Sequence, residues 1–424
     1  MGIQNRQLIA EHQFVIRGAR YTRGPRATSH ASIQITGDRI TGIFNRSSAF
    51  PDAVPGPPDI DLSGFLILPG FVNAHDHLQF ALSPRMGNPP YRNYIEWGDD
   101  IHRSFPEVIA KHHAIPKAVR LWWGGIRNLL CGVTTVGHHN PLWPELRRDD
   151  FPVRVVQDYG WGHSLALGGD IRQVRAATPL ARPFILHACE GVDEQAREEL
   201  WGLERLGVLD SSTVLVHGLA IDQDGVALMR DRRASLIVCP SSNKFLFGKV
   251  PDLSLLSKIE NIALGSDSPL TAEGDLLDEI RFAMHFCEIS ASAAYRMVTT
   301  APAAILRLEN AEGSIKESGF ADLIAVRDTG QLFAERLKTL SMNDVELVMI
   351  GGRVQLASES MLERLPFAAI HGLEPLSIDG SIRWLRAPVK ALLHQAEEVL
   401  GRGEVRLGCR RLFIPADVAA QHVN

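Results

Sequence analysis

Two histidines flank an aspartate in the run FVNAHDH, at His75, Asp76 and His77. On an extended strand, residues i and i+2 face the same side, so both imidazoles can chelate one ion. A histidine pair in a solvated loop is the other reading of this tripeptide. Three more ionisable residues fall where apolar runs stop: His187 after PFIL, His217 after TVLV and Asp267 after NIALGS. Parallel α/β barrels build their active sites at such strand ends. Four histidines and an aspartate in one relative place point to a shared metal site. Glu190 follows His187 by three residues. In the loop above a metal, a carboxylate can shuttle a proton between an activated water and a leaving group. The alternative is an exposed glutamate opening the helix at Asp193, where negative charge is favourable.

The elements that must position these groups alternate. Short apolar runs at 71–77, 132–140, 153–162, 183–190, 213–219, 234–240 and 261–268 read as seven strands. Amphipathic stretches at 116–130, 193–206 and 223–230 read as helices between them. Strand–helix alternation predicts parallel βαβ units, and about eight such units close a barrel. One strand is therefore missing from the count. β-like runs also stand at 14–21 and 31–44, with a hairpin turn at Gly37-Asp38, and at 321–328 and 345–357, with a Gly-Gly turn. They predict a small sandwich made from both chain ends. PDAVPGPPDIDLSG reads as loop. After Pro366, the residues Val389, Leu392, Leu393, Ala396, Val399 and Leu400 recur at helical spacing and predict a docking helix. The expected domains are a β-sandwich from 1–68 and 315–365, a barrel at 69–314, and a partly helical extension at 366–424.

Composition sets the outer bounds. The 424 residues exceed what one barrel needs, about 250. With 45% hydrophobic and 22% charged residues, global disorder is excluded. A net charge of −5 predicts neither nucleic acid nor a membrane surface as partner. No apolar run reaches membrane-spanning length, and MGIQNRQLIAEHQ carries no signal-peptide core. The scattered cysteines include no CxxC pair, so neither a disulfide framework nor a cysteine zinc site is expected. A cytoplasmic location follows as the expectation.

The runs PGFVNAHDHLQF, GVTTVG, FILHACEG, VLVHGLAID, VCPSSNKFLFG and ALGSDSPL together resemble, in order and spacing, the amidohydrolase superfamily. The resemblance is to its cytosine-deaminase-like branch, which holds chlorotriazine hydrolases and adenosine, guanine and S-adenosylhomocysteine deaminases. It implies an α/β fold: a (β/α)₈ TIM-like barrel plus a small β-sandwich built from both chain ends. It implies one divalent ion, Zn²⁺ with Fe²⁺ as the alternative, on His75, His77, His187 and Asp267. It implies Glu190 as proton shuttle and His217 as the group that holds the attacking water or polarises the substrate. Asp267 would also take a proton from that water. Three neutral imidazoles and one carboxylate leave a coordination position open, the pattern of a catalytic site. The implied reaction is hydrolytic deamination of an amino-substituted heterocycle by a metal-activated hydroxide. Amide, ring-opening or dechlorinating hydrolysis on the same scaffold is the alternative, as is a catalytically inactive binding relative. The implied partners are a small-molecule substrate and further copies of the chain, since relatives are commonly dimers or larger.

No lysine occurs between Lys117 and Lys244. Binuclear relatives bridge two metals with a carboxylated lysine on the fourth strand, so a single ion is expected here. Only LALGGDIRQVRAATPLARP separates VRVVQDYGWGHS from PFILHACE, so the fourth-strand region is expected to be shortened. Gln79, His138, His139, Trp161 and His163 lie near strand ends and are candidates for substrate contact, or for loop and wall packing. Tyr159, Phe245 and Phe247 offer the same choice between stacking on a flat ring and packing. Cys131, Cys189 and Cys239 read as small buried apolar residues.

Overall fold

The computed structural model describes residues 13–45, 58–272 and 274–415. The N-terminal run 1–12 and residues 51–57 of the Pro- and Gly-rich stretch lie outside the described residues, as does nearly all of the N-terminus read as lacking a signal-peptide core; Asp59–Asp61, expected as loop, is a strand that pairs with Gln13–Arg17.

Strands from both end regions of the described chain form one thirteen-stranded sheet, twelve of them along a single path. Thr28–Thr36 and Arg39–Asn45 form the hairpin expected at Gly37-Asp38. Val345–Ile350 and Arg353–Ser358 turn at Gly351 and Gly352, with φ of +52° and +70°. A two-residue hairpin turn needs that left-handed backbone to match the strand twist. Phe65–Pro69 couples the two ends, running parallel to Arg20–Thr22 and antiparallel to Leu323–Arg327. The region after Pro366 is more β-rich than its periodicity suggests. Glu374–Ile378, Ser381–Leu385, Arg406–Leu407 and Arg410–Phe413 extend the same sheet path. Its helix, Val389–Leu400, buries Val389, Leu392, Leu393, Ala396 and Leu400.

Eight short strands form the second layer. Phe71–Asp76 (β1), Val133–His138 (β2) and Arg154–Val155 (β3) make a three-stranded parallel sheet. Gly160–Ser164 (β4), Phe184–Ala188 (β5), Thr213–His217 (β6), Ser235–Val238 (β7) and Ile262–Leu264 (β8) make a five-stranded one. The run 153–162, expected as one strand, is two. Between β3 and β4 the Gln157 side chain donates to the carbonyls of Val155 and Leu146, both at 2.9 Å, and the chain bends there. The missing strand is thus β4, earlier than expected, and His163 lies on it. The stretch beyond it carries the short helix Ile171–Ala177. Past β8 the chain returns to β1, where the Asp267 amide donates to the His75 carbonyl at 3.1 Å.

Alternation sorts the strand side chains into two cores. Val72, Ala74, Ile185, Val214, Val216, Ile237 and Ala263 form one cluster between the strands. Phe71, Phe184, Leu186, Leu215, Leu236 and Leu264 face the other way, into the cluster that includes the flanking helices. Burial on both faces explains the near-continuous apolar strands.

A segment between β1 and β2 adds the helices Tyr94–Ser104 (α1), Pro106–His113 (α2) and Lys117–Leu130 (α3). Asn93 caps α1 by accepting from the Ile95 and Glu96 amides. Helix α3 presses on the residue after His77. A Cβ on Gly124 would lie 2.3 Å from the Leu78 carbonyl oxygen and 2.6 Å from its Cα. Backbone cannot swing aside as a side-chain end can. Gly124→Ala is therefore expected to cost about 1–3 kcal/mol of overpacking and to lower metal occupancy by shifting His77. Gly98→Ala in α1, whose Cβ would meet nothing within 4 Å, is the control. Equal denaturant midpoints for the two variants would refute the packing argument.

Candidate active site

The strand-end groups meet in one place. His75 Nε2 and His187 Nε2 stand 3.3 Å apart. Asp267 Oδ1 lies 3.8 Å from His75 Nε2 and 3.7 Å from His77 Nε2. His75, His77 and His187 each offer a nitrogen within 4.8 Å of the other two. Donors bound at 2.0–2.2 Å to a tetrahedral ion are about 3.4 Å from one another. The three imidazoles converge on one point, and Asp267 reaches two of them at close to that spacing.

Alternation does not produce this geometry. His75 shares parity with Phe71, which faces the helices, whereas Val72 and Ala74 face inward. The pairing of β1 with β2 slips between Asn73 and Asp76, and that irregularity re-aims the strand end. His217 and Asp267 are reached through left-handed backbone, φ +76° and +50°, and so is Cys189 at +55°. Non-glycine residues held there carry strain that the surrounding packing must maintain.

The electrostatics suit a cation. Burial, then the neighbouring histidines, pushes His75 and His187 well below the usual imidazole range. Burial also brings His217 and His163 down to about 4. Neutral rings keep lone pairs free for a metal. Second contacts orient them: His187 Nδ1 meets the His163 carbonyl at 2.8 Å, and His77 Nδ1 meets Asn140 Oδ1 at 2.8 Å. Burial opposes ionisation of Asp267, but His217 and His77 outweigh it and hold the carboxyl low. The Ser268 amide at 2.7 Å and Thr271 Oγ1 at 3.2 Å bind the same carboxylate. Glu190 is the opposite case. Burial, then Asp267 and Glu199, raises its pKa well above the ordinary value. Its Oε2 lies 3.6 Å from His217 Nε2. Both shifts favour the uncharged forms, so this contact is not an ion pair.

Two supporting carboxylates were not legible in the sequence. Glu199 accepts from the Tyr94 hydroxyl at 2.9 Å and from the Cys189 amide at 2.8 Å, bracing the turn that carries Glu190. Glu279 accepts from the Ser241 amide at 2.9 Å and from its hydroxyl. Burial pushes Glu279 up to about 8. The folded chain then keeps that proton to about pH 8, while the unfolded chain releases it at the ordinary glutamate value near 4.5. Stability from this group is complete below about pH 4.5 and is lost as pH rises to about 8, by up to about 1.4 kcal/mol per unit. Glu279→Gln should flatten that part of the profile. Urea unfolding at pH 5, 7 and 9 checks it, and parallel profiles for the two proteins would contradict it.

A cavity of about 280 Å³ opens onto the site. His77, His163, His187, Glu190, His217 and Asp267 line it, while His75 sits beneath, 1% exposed. The other substrate candidates stand outside its lining. Gln79 donates to Asn140 Oδ1 at 2.6 Å. His139 packs its ring 4.1 Å from that of His187 and its Nε2 meets the Gly162 carbonyl at 3.1 Å. Trp161 packs edge-on against His139 at 5.6 Å. His138 is buried, its Nδ1 3.4 Å from the Leu78 amide. The Tyr159 hydroxyl donates to the His138 carbonyl at 2.5 Å. Phe245 packs under the Arg85 guanidinium, 5.0 Å from its ring centre, and Phe247 is buried. Cys189 turns into the helix-side core, and Cys131 is buried with it. Cys239 Sγ does approach, within 4.8 Å of donor atoms of His217 and Asp267. Burial raises its thiol pKa well above the usual value.

Residues 162–355 match the amidohydrolase family. The chain carries an amidohydrolase family domain. The matched stretch contains His163, His187, Glu190, His217 and Asp267. His75 and His77 precede it, and only the fold brings them to it. Among curated proteins, the chain is 28% identical over 335 residues to a 5-methylthioadenosine/S-adenosylhomocysteine deaminase of Haloquadratum walsbyi, covering 63% of this chain and 72% of that one. It is 22% identical over 393 residues to the deaminase of the same name from Thermococcus sibiricus, covering 76% and 89%. Among solved structures it resembles an adenosine deaminase from Xanthomonas campestris with bound zinc, at TM-score 0.67 and 18% identity, covering 91% and 97%. It also resembles an atrazine chlorohydrolase from Arthrobacter aurescens complexed with zinc, at TM-score 0.65 and 16% identity, covering 91% and 99%. At those identities the likeness establishes the fold, a TIM barrel with an added domain. Among the described residues, no helix is long and apolar enough to cross a membrane.

Proposed function

We propose that the chain is a mononuclear metal-dependent aminohydrolase that releases ammonia from an amino-substituted heterocycle. The observation that carries this reading is the donor set itself. Three imidazoles and one carboxylate offer donor atoms 3.3–3.8 Å apart in the three pairs given above, beside a glutamate whose pKa burial raises. His75, His77, His187 and Asp267 hold the ion, and zinc is preferred to iron because two similar structures are described with zinc. When bound, such an ion supplies the Lewis acidity that makes water a nucleophile at neutral pH.

The protein's own groups do the rest. Asp267 takes a proton from the attacking water, and His217 holds that water or the ring atom it attacks. The water oxygen bonds to the amino-bearing carbon. Glu190 gives its proton to the amino nitrogen, the C–N bond breaks, and ammonia leaves a ring carbonyl behind. The relatives named as deaminases favour this over amide or ring-opening hydrolysis. The division into 1–68 with 315–365, 69–314 and 366–424 is our reading of the domains. It is supported by the pairing of Phe65–Pro69 with Leu323–Arg327.

The test is a mixed library of amino-purines, amino-pyrimidines, triazines, pterins and cyclic amides, read by product mass and ammonia, with metal content measured in parallel. One metal per chain and exchange of an amino group for oxygen are expected. Gain of a whole water would move the protein to ring-opening chemistry. Activity that survives His187→Ala together with full metal loss would overturn the metal-dependent reading.

A further inference from the structure

The cavity changes character along its length. Its inner end is the metal site. Its outer wall is Phe80, Met86, Trp97, Ile101 and Leu270. These five form a separate apolar cluster with Phe105, Val108 and Ile109, supplied largely by α1 and α2. Two of the polar groups beside this wall are engaged within the protein. Trp97 Nε1 donates to the Met86 carbonyl at 3.0 Å, and the Tyr94 hydroxyl to Glu199 at 2.9 Å. The Asp100 carboxylate on α1 is outside the lining, bound to Tyr91 at 2.5 Å, Ser104 at 2.8 Å and Asn88 at 3.1 Å. Among the described lining residues, the carboxylates are Glu190 and Asp267, both at the reacting end, and there is no lysine or arginine.

The five side chains of this wall offer a sugar's hydroxyls no acceptor. A buried vicinal diol that leaves water needs acceptors, and a carboxylate is the group suited to take both hydroxyls at once. His102, His112 and His113 also line the cavity. His102 Nδ1 is spent on the Gly98 carbonyl at 2.7 Å, whereas His112 Nδ1 is buried without a partner. That nitrogen serves one polar atom on the substrate, not a diol. The volume of about 280 Å³ is also at the small end of ligand pockets, about 300–1,000 Å³.

Resting on the aminohydrolase reading of the metal end, we infer that the substrate is a planar amino-heterocycle bearing a small alkyl or aryl group, not a ribosyl group. The substituent lies against Trp97, Ile101 and Leu270 while the amino-bearing carbon faces Glu190. This sets the chain apart from the nucleoside chemistry in the names of its curated relatives.

Matched pairs on one ring test it: 9-ethyladenine against adenosine, 1-ethylcytosine against cytidine, and 1-ethyl-5-azacytosine against 5-azacytidine. The ethyl member of the reactive pair should show a kcat/KM at least about tenfold higher, the scale on which apolar pockets discriminate. Ile101→Asn, which places an amide on the wall, should narrow that ratio with metal content unchanged. A ribosyl compound that is turned over equally well or better would overturn the inference and leave the deaminase reading standing. If no ring releases ammonia, the deaminase reading fails by itself. Calorimetry on metal-loaded Glu190→Gln then decides the pocket: tighter binding of the ethyl members supports the inference, and equal or absent binding refutes it.

Discussion

Glu190→Gln should lower ammonia release by about 10²–10⁴-fold, the usual worth of a positioned general acid–base group, while leaving metal content at the wild-type level. Gln keeps the shape of the side chain and its contact to His217, 3.6 Å away, but it has no proton to transfer. Glu190 lies outside the four proposed metal donors, so binding of the ion should not change. The pH profile adds a signature. Burial raises the Glu190 pKa well above normal, so the acid form persists at neutral pH. Activity carried by that form is complete below the raised pKa and falls as pH passes through it. The residual activity of the variant should lack this alkaline limb. A variant with normal turnover, or one that loses metal and activity together, would remove Glu190 from the proposed role. Ammonia release from pH 5 to 10, with metal analysis of the same samples, separates these cases.

Arg127→Met should destabilise the fold by about 3–5 kcal/mol, the usual cost of stripping one partner from a buried ion pair. Arg127 is 4% exposed and Asp76 1%. Arg127 Nη1 reaches both Asp76 oxygens at 3.1 and 3.0 Å and the Asp267 carbonyl at 3.1 Å. Its Nε and Nη2 hold the Gly274 carbonyl at 2.9 and 2.6 Å. One guanidinium thus ties the residue between the two strand-end histidines to the segment after the fourth ligand. Asp76 would keep Asn128 Nδ2 at 2.7 Å but lose its countercharge. Burial already raises the Asp76 pKa, and Arg127 is the main opposing influence. Without Arg127 the folded carboxyl binds its proton more tightly. The deficit is therefore largest at neutral pH and shrinks in acid. Adding Asp76→Asn should recover part of the loss, since both charges are then gone. Strictly additive losses in that double-mutant cycle, measured by urea unfolding, would show that the pair is not coupled.

Part of this protein can be read along the chain. His75, His77, His187, Glu190, His217 and Asp267 stand out because ionisable residues interrupt apolar runs that otherwise have no reason to stop. The docking helix at 389–400 and the hairpins at Gly37-Asp38 and Gly351-Gly352 are legible because periodicity and turn chemistry are local. What tertiary structure decided is different in kind. The split of 153–162 into β3 and β4 depends on where Gln157 finds acceptors. The slip in β1 and the left-handed backbone at His217 and Asp267 override alternation, and packing elsewhere maintains them. His139 and Trp161 stand behind the ligands while His163 faces the cavity, although all three looked alike as strand-end residues. The apolar wall from α1 and α2 becomes a pocket only when that insertion folds back over the strand ends. Chain pattern reports which residues are chemically unusual. Which of them meet, and what surrounds the space between them, is settled by contacts between residues far apart in sequence.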